Sequence, residues 1–257
     1  MNKIGRRVWL AAGGATALGI PLGAWLAWGR DPEAVVGPWG ALRPDPDGVF
    51  DLLDGFHYRI VDRSGQRMDD GYPVPPRPDG MACFSGEGGA LVLVRNHELP
   101  VGYRQQAIGR RWPREAYDPE GAGAVTRVVL DARTLAVRSR GLLLSGTSMN
   151  CSGGPSPWGW ISCEEDTQGE HGYAFLCDPA AERLGEPRRI DGYGRFRHEA
   201  AAVTAESAVC YLSEDQTDSC VYRFVPHDPA SPFEGTLQAL RVRGRRAENT
   251  APLRAGA

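Results

Sequence analysis

Short apolar, strand-like runs bounded by turn residues recur along the chain, and no segment carries the three-to-four-residue spacing of a convincing amphipathic helix. Strand-like segments recur at 91–95, 125–131, 134–144, 158–163, 173–177, 208–213, 221–225 and 237–242, separated by turns rich in Gly, Pro, Asn and Asp. Three of them share one form, an apolar strand that runs into acid: Leu91-Val92-Leu93-Val94-Arg95-Asn96-His97-Glu98, Trp158-Gly159-Trp160-Ile161-Ser162-Cys163-Glu164-Glu165 and Ala208-Val209-Cys210-Tyr211-Leu212-Ser213-Glu214-Asp215. Each follows a partner strand, starting near Asp79, Asn150 and Arg197, so each reads as a hairpin. The acids at 98, 165 and 215 are spaced as blades of about 40 to 50 residues with insertions would space them. The predicted fold is therefore all-β, a partial β-propeller of about four blades out of six.

Hairpin geometry turns this repeat into a prediction about chemistry. The start of the first strand and the end of the second share one edge, and equivalent edges of successive blades face one mouth of a propeller. Asp79 with Glu98, Cys151 with Glu164 and Glu165, and Glu199 with Glu214 and Asp215 should converge there. Clustered carboxylates repel, by about 4 kcal/mol per close pair at an effective dielectric near 20, and multivalent cations are the simplest remedy. All-oxygen ligands suit calcium, whereas a thiolate among them indicates a transition metal. Taken singly, each acid reads equally well as a solvated strand end and Cys151 as a buried structural cysteine. Arg197 is either a guanidinium fork for a phosphoryl oxygen or a salt-bridge partner of the same acids.

Composition narrows the function classes. Net charge is -3, too balanced to imply a nucleic-acid partner. Lys3 is the single lysine, which removes Schiff-base chemistry and the Walker A signature from the body of the protein, and neither HExxH nor GxSxG occurs. Arg6-Arg7 opens an apolar, Gly/Ala-rich stretch over residues 8–29, the pattern of a twin-arginine export signal. No clean A-x-A site precedes Arg30-Asp31-Pro32, so a membrane tether through residues 8–29 remains an alternative to cleavage. Beyond the membrane the six cysteines could form up to three disulfides. The expected organisation is a signal or anchor at 1–29, a linker at 30–55, the propeller domain at 56–242 and an unstructured tail at 243–257.

Several motifs in order then carry a resemblance: RNHE at 95–98, GTSMNCSGG at 146–154, PWGWISCEED at 157–166, GRFRHEAAAV at 194–203 and YLSEDQTDSCVYRFVP at 211–226. From about residue 56 to about 240 the chain resembles the PhoX-type alkaline phosphatase family. The resemblance implies a metal-dependent phosphatase of phosphate monoesters, exported to the periplasm by the twin-arginine machinery, with ferric iron and calcium as cofactors. It implies that Cys151 and Glu199 ligate iron, that further iron or calcium ligands lie among Glu98, Glu164, Glu165, Glu214 and Asp215, and that Arg197 and Asn150 hold the phosphate of a small substrate. The alternatives are a calcium-dependent propeller lactonase and a non-catalytic metal-binding propeller. Residues 56–242 suffice for only about four blades of 40 to 50 residues, so the chain is expected to form an incomplete ring, aggregation-prone and weakly active alone.

Overall fold

The strand-like segments form antiparallel strands in the computed structural model, which describes residues 40–243. In chain order, β1 (Pro78–Gly86), β2 (Ala90–His97), β3 (Gly123–Asp131) and β4 (Val137–Thr147) make one sheet, with a five-residue helix, α1 (Arg104–Ile108), between β2 and β3. The second sheet is β5 (Asn150–Ser156), β6 (Gly159–Glu164) and β7 (Ala174–Cys177). The third is β8 (His198–Val203), β9 (Cys210–Glu214), β10 (Val221–Pro226) and β11 (Gly235–Ala239). Each sheet is a meander of neighbours in sequence, and β5 packs between β1 and β8. Successive meanders whose first strands stand side by side are the arrangement of consecutive propeller blades.

Among the described residues there are three such sheets, not the four expected. The count of four divided the chain by blade length, but residues 98–122 and 178–197 are mostly loop. The segments at 125–131 and 134–144 do not found a blade of their own; as β3 and β4 they complete the first.

Burial on both faces explains why β6 and β7 are largely apolar, Ser162 and the closing Glu164 apart, rather than alternating. Trp160, Phe175 and Cys177 pack with Val92, Val94 and Val129 of the first sheet, while Ile161, Cys163, Ala174 and Leu176 pack with Cys210, Leu212 and Phe224 of the third. Successive side chains of a strand point to opposite faces, so burial on both faces favours apolar residues at odd and even positions alike. Phe175 and Ile161 are both fully buried, each stabilising by about 1.5–3 kcal/mol relative to exposure. A third cluster joins Met68, Tyr72 and Val74 to Leu99, Ile108 and Leu142, and a nearly buried Arg95–Asp62 ion pair at 3.0 Å holds the segment before β1 to this sheet.

Two glycines permit the close approach of the first strands. A methyl group at Gly80 in β1 would lie 2.7 Å from the Ser152 Cα of β5, and one at Gly154 in β5 would collide with the Ala201 carbonyl of β8.

The chain divides into two compact units, one ending at Ile60 and the other starting at Val61, and all three sheets lie in the second. Within the first, Arg43 and Leu52 form an isolated bridge, and the Asp45 carboxylate accepts hydrogen bonds from the Val49 and Phe50 amides and the Tyr58 hydroxyl at 2.7–3.0 Å. The export segment at 1–29 lies outside the described residues, as does all but the first residue of the tail at 243–257. Among the described residues no helix is long and apolar enough to cross a membrane. None of the possible disulfides is formed: all six cysteines are free, four of them buried and two, Cys83 and Cys220, exposed.

Gly154→Ala should cost about 1–3 kcal/mol by forcing β5 from β8, whereas Gly185→Ala, which meets no atom within 4 Å, should leave stability unchanged. Urea denaturation of the two variants checks this; equal midpoints would mean that the strands part without penalty.

Candidate metal centre

The three inner hairpins carry the same irregularity at the same rung. Pro78 pairs with His97 but Met81 with Arg95; Asn150 pairs with Glu164 but Gly153 with Ser162; His198 pairs with Glu214 but Ala201 with Leu212. In each case three steps on the first strand oppose two on the second, which is a β-bulge of one extra residue. Bulges of this kind re-aim a side chain. The residues they contain begin with Asp79, Cys151 and Glu199.

The second strands end with a matching repeat. The amide of Glu98 donates to the Arg77 carbonyl (3.0 Å), that of Glu165 to Met149 (2.9 Å) and that of Asp215 to Arg197 (3.0 Å). Entry and exit of each hairpin are therefore neighbours, as the hairpin geometry predicts.

The bulges and these closing bonds bring Cys151, Glu165 and Glu199 together, one donor atom of each lying within 4.8 Å of the other two. Asp215 adjoins them through a hydrogen bond to Glu165, while Glu98 feels the charges of Asp79 and Glu199. Burial is the main cause that raises the Glu165 carboxyl, followed by the Asp215 hydrogen bond and charge and then by Glu199, and together they push it up to about 7. Burial, then Glu199 and Cys163, hold the Cys151 thiol far above the usual cysteine range, and its Sγ lies 3.2 Å from the His198 carbonyl. Glu98 and Asp79 are raised as well, primarily by burial. Groups whose charged forms repel one another become ligands when a cation supplies opposite charge. A thiol with two carboxylates suits a transition metal by its donor types, so the residues present fit a metal ion.

Arg197 stands at the edge of this group. Its Nε donates to the Glu165 carbonyl at 2.9 Å, Nη2 lies 3.8 Å from Glu165 Oε1, and its side chain is 44% exposed. Together with Glu165, Asp166, Thr167 and Gln168 it lines an open, polar cavity of about 280 Å³.

Three residues named from the sequence stand elsewhere. Glu164 is fully buried and turned inward, its carboxylate accepting from the Ser148, Gly172 and Tyr173 amides at 2.9, 2.8 and 3.1 Å and contacting His171 Nδ1 at 2.7 Å. Glu214 receives Gln216, the Cys220 amide and the Tyr222 hydroxyl. Both are the last paired residues of their strands, and period two sends them away from the residue that follows, Glu165 or Asp215. Asn150 is fully buried, its amide engaged by Thr147 (2.5 Å) and Ser162 (2.8 Å), and it does not line the cavity beside Arg197. His97 and His198 are buried too, and burial depresses both to about 4.

Asn96, which the sequence pattern does not mark as functional, joins the Asn150–Ser162 network and reaches the backbone of the Cys151 bulge. It stands between Arg95 and His97 in the polar end of β2, with no mark of its own.

Fold and site thus define an all-β, bladed protein with an acid-and-thiol mouth fit for a metal. A family model, alkaline phosphatase PhoX, matches residues 37–139 and 104–250, and the chain belongs to that family. Its fold is similar to that of Pseudomonas fluorescens PhoX, solved in complex with vanadate, a transition-state analogue: the TM-score is 0.53 at 16% identity, over 73% of this chain and 52% of that one. The chain spans about half the length of that protein. No curated protein matches by sequence.

Because the Glu165 carboxyl is raised in the folded state, the folded chain holds a proton there that the unfolded chain releases near its ordinary value of 4.5. Stability from this group is present below that value and is lost as pH rises through about 7. Glu165→Gln should therefore raise the Tm of chelator-treated protein at pH 8 relative to wild type, and much less at pH 5. An equal gain at both pH values would place the carboxyl in water.

Proposed function

We propose that this protein hydrolyses phosphate monoesters at the bulged mouth, with a metal held by Cys151, Glu165 and Glu199. The observation that carries the reading is the convergence of one thiol and two carboxylates beside Arg197, in a chain of the PhoX alkaline phosphatase family. The vanadate bound by the Pseudomonas protein supports it, since vanadate stands in for a phosphoryl group in its transition state.

The donor set favours ferric iron at the thiolate position, and the acids Asp79, Glu98 and Asp215 around it favour calcium. The metals would supply Lewis-acid polarisation of the phosphoryl oxygens. Arg197 supplies the remaining charge: its Nε is tied to the Glu165 carbonyl, which sets the plane of the guanidinium at the cavity wall, where it can take a phosphoryl oxygen as a fork. Asp166, which shapes the same cavity, is fixed by the Ser148 hydroxyl at 2.7 Å.

The substrate is a small phosphorylated molecule, and nothing in the charge balance calls for nucleic acid. Export through the twin-arginine machinery places the protein in the periplasm, with residues 8–29 as signal or tether. Such export delivers proteins already folded, which suits a site assembled from three sheets.

Elemental analysis of the purified chain should find iron and calcium, and Cys151→Ser should remove the iron together with its thiolate-to-metal colour. Arg197→Lys keeps the charge and loses the fork, so phosphomonoester turnover should fall by about 10- to 100-fold, the scale of one charged hydrogen bond. A colourless, iron-free wild type with full phosphatase activity, or unchanged kinetics in Arg197→Lys, would overturn the proposal.

A further inference from the structure

A bulge leaves its extra residue unpaired in the ladder, so the carbonyls beside it must find partners elsewhere. In the second sheet these are the carbonyls of Cys151 and Ser152. Both are taken by one side chain from the neighbouring sheet: Asn96 Nδ2 donates to the Ser152 carbonyl at 2.6 Å and to the Cys151 carbonyl at 3.3 Å. The amide is itself held from the other end, where Asn96 Oδ1 accepts from Trp160 Nε1 at 2.8 Å and from Ser162 Oγ at 2.9 Å. Asn96 is fully buried, and its donors and acceptor are all engaged between β2 and the β5–β6 hairpin.

We infer that Asn96 is a positioning residue for the thiol of Cys151, clamping the bulge so that Sγ is held toward Glu165 and Glu199. The inference rests on the metal reading of that group and adds a residue to it. Only a carboxamide fits the place: it offers two N–H donors to the two carbonyls and an oxygen to the two donors behind. A carboxylate would set oxygen against carbonyl oxygen, and a serine would fall short.

The network also separates the clamp from the general rigidity of the core. The Ser162 hydroxyl sits on the far side of Asn96, and its two hydrogen bonds run to side chains, donating to the Asn96 oxygen and accepting from Asn150. Removing the Ser162 hydroxyl loosens the network and leaves the two bulge contacts in place.

The test uses the full chain, stripped with chelator and titrated with cobalt(II), following the thiolate-to-cobalt charge-transfer band. Asn96→Asp and Asn96→Ala are compared with wild type and Ser162→Ala, with circular dichroism and thermal melts to show that each is folded. Asn96→Asp should bind cobalt about 10- to 100-fold more weakly, the usual effect of losing a group that orients a ligand, with a weaker band per bound ion. Ser162→Ala should lower the melting temperature and keep the cobalt affinity and band of wild type. Should Asn96→Ala fail to fold, Asn96→Asp, which keeps the volume and the acceptor for Trp160 and Ser162, decides the matter. Equal cobalt affinity in Asn96→Asp and wild type, or an equal loss in Ser162→Ala and Asn96→Asp, overturns the inference while the metal reading stands. A wild type that binds no cobalt overturns the metal reading and the inference with it.

Discussion

One extra residue in each of three hairpins is the constraint on which the site depends. In a strictly paired ladder, side chains alternate between the two faces, and a one-residue offset sends each to the other side. Without the bulges the sulfur of Cys151 and the carboxylate of Glu199 would follow the ordinary pleat, whose two faces here are packing surfaces between sheets. With them, the ladder is interrupted at the mouth, and Asp79, Cys151 and Glu199 take equivalent places on adjacent first strands. The carbonyls of Arg77, Met149 and Arg197 complete each turn by holding the amide of the acid that follows the second strand. The left-handed backbone of Arg77 and Met149, with φ near +50°, belongs to this same repeat. Such conformations persist where the surrounding contacts over-determine them.

Two adjacent glutamates show how completely the environment decides the role of one residue type. Glu164 is saturated by three backbone amides and by His171, which also meets Asp118 at 3.1 Å; burial would lower the imidazole, but the two carboxylates outweigh it and raise it. That carboxylate ties the loop at residues 166–172 to the second sheet. Glu165, next in the chain, is raised first by burial and then by Asp215 and Glu199, which outweigh the opposing Arg197 guanidinium. The first is a structural anion with its partners built in. The second is short of positive charge, which is the condition a bound cation relieves.

The mouth works only because the first strands stand unusually close. Gly80 and Gly154 remove the side chains that would hold β1, β5 and β8 apart, and apolar packing on both faces of the middle sheet draws its neighbours in. Inside that packing a polar line runs from Thr147 through Asn150 and Ser162 to Asn96 and on to the bulge backbone. Every member has a partner, so the line carries no desolvation penalty from an orphaned group and fixes the second sheet against the first.

The sequence shows the all-β class, the three hairpins and the edge on which their ends meet, because strand-forming runs and turn chemistry are local properties that need no tertiary partner. It also determined which short set of residues could meet: the acids at 98, 165 and 215 and the thiol at 151 are repeat positions, and repeats are visible in one dimension. The tertiary structure decided which of each adjacent acidic pair faces the mouth, since the last paired residue of each second strand and the one after it point opposite ways, and only the pairing and packing of the sheets fix which way each points. It decided that Asn150 belongs to the core and that Asn96 reaches the Cys151 bulge, because both depend on hydrogen-bond partners more than ten residues away in sequence. The number of sheets was likewise settled in three dimensions, as only strand pairing shows that the segments at 125–131 and 134–144 extend an existing sheet instead of starting another.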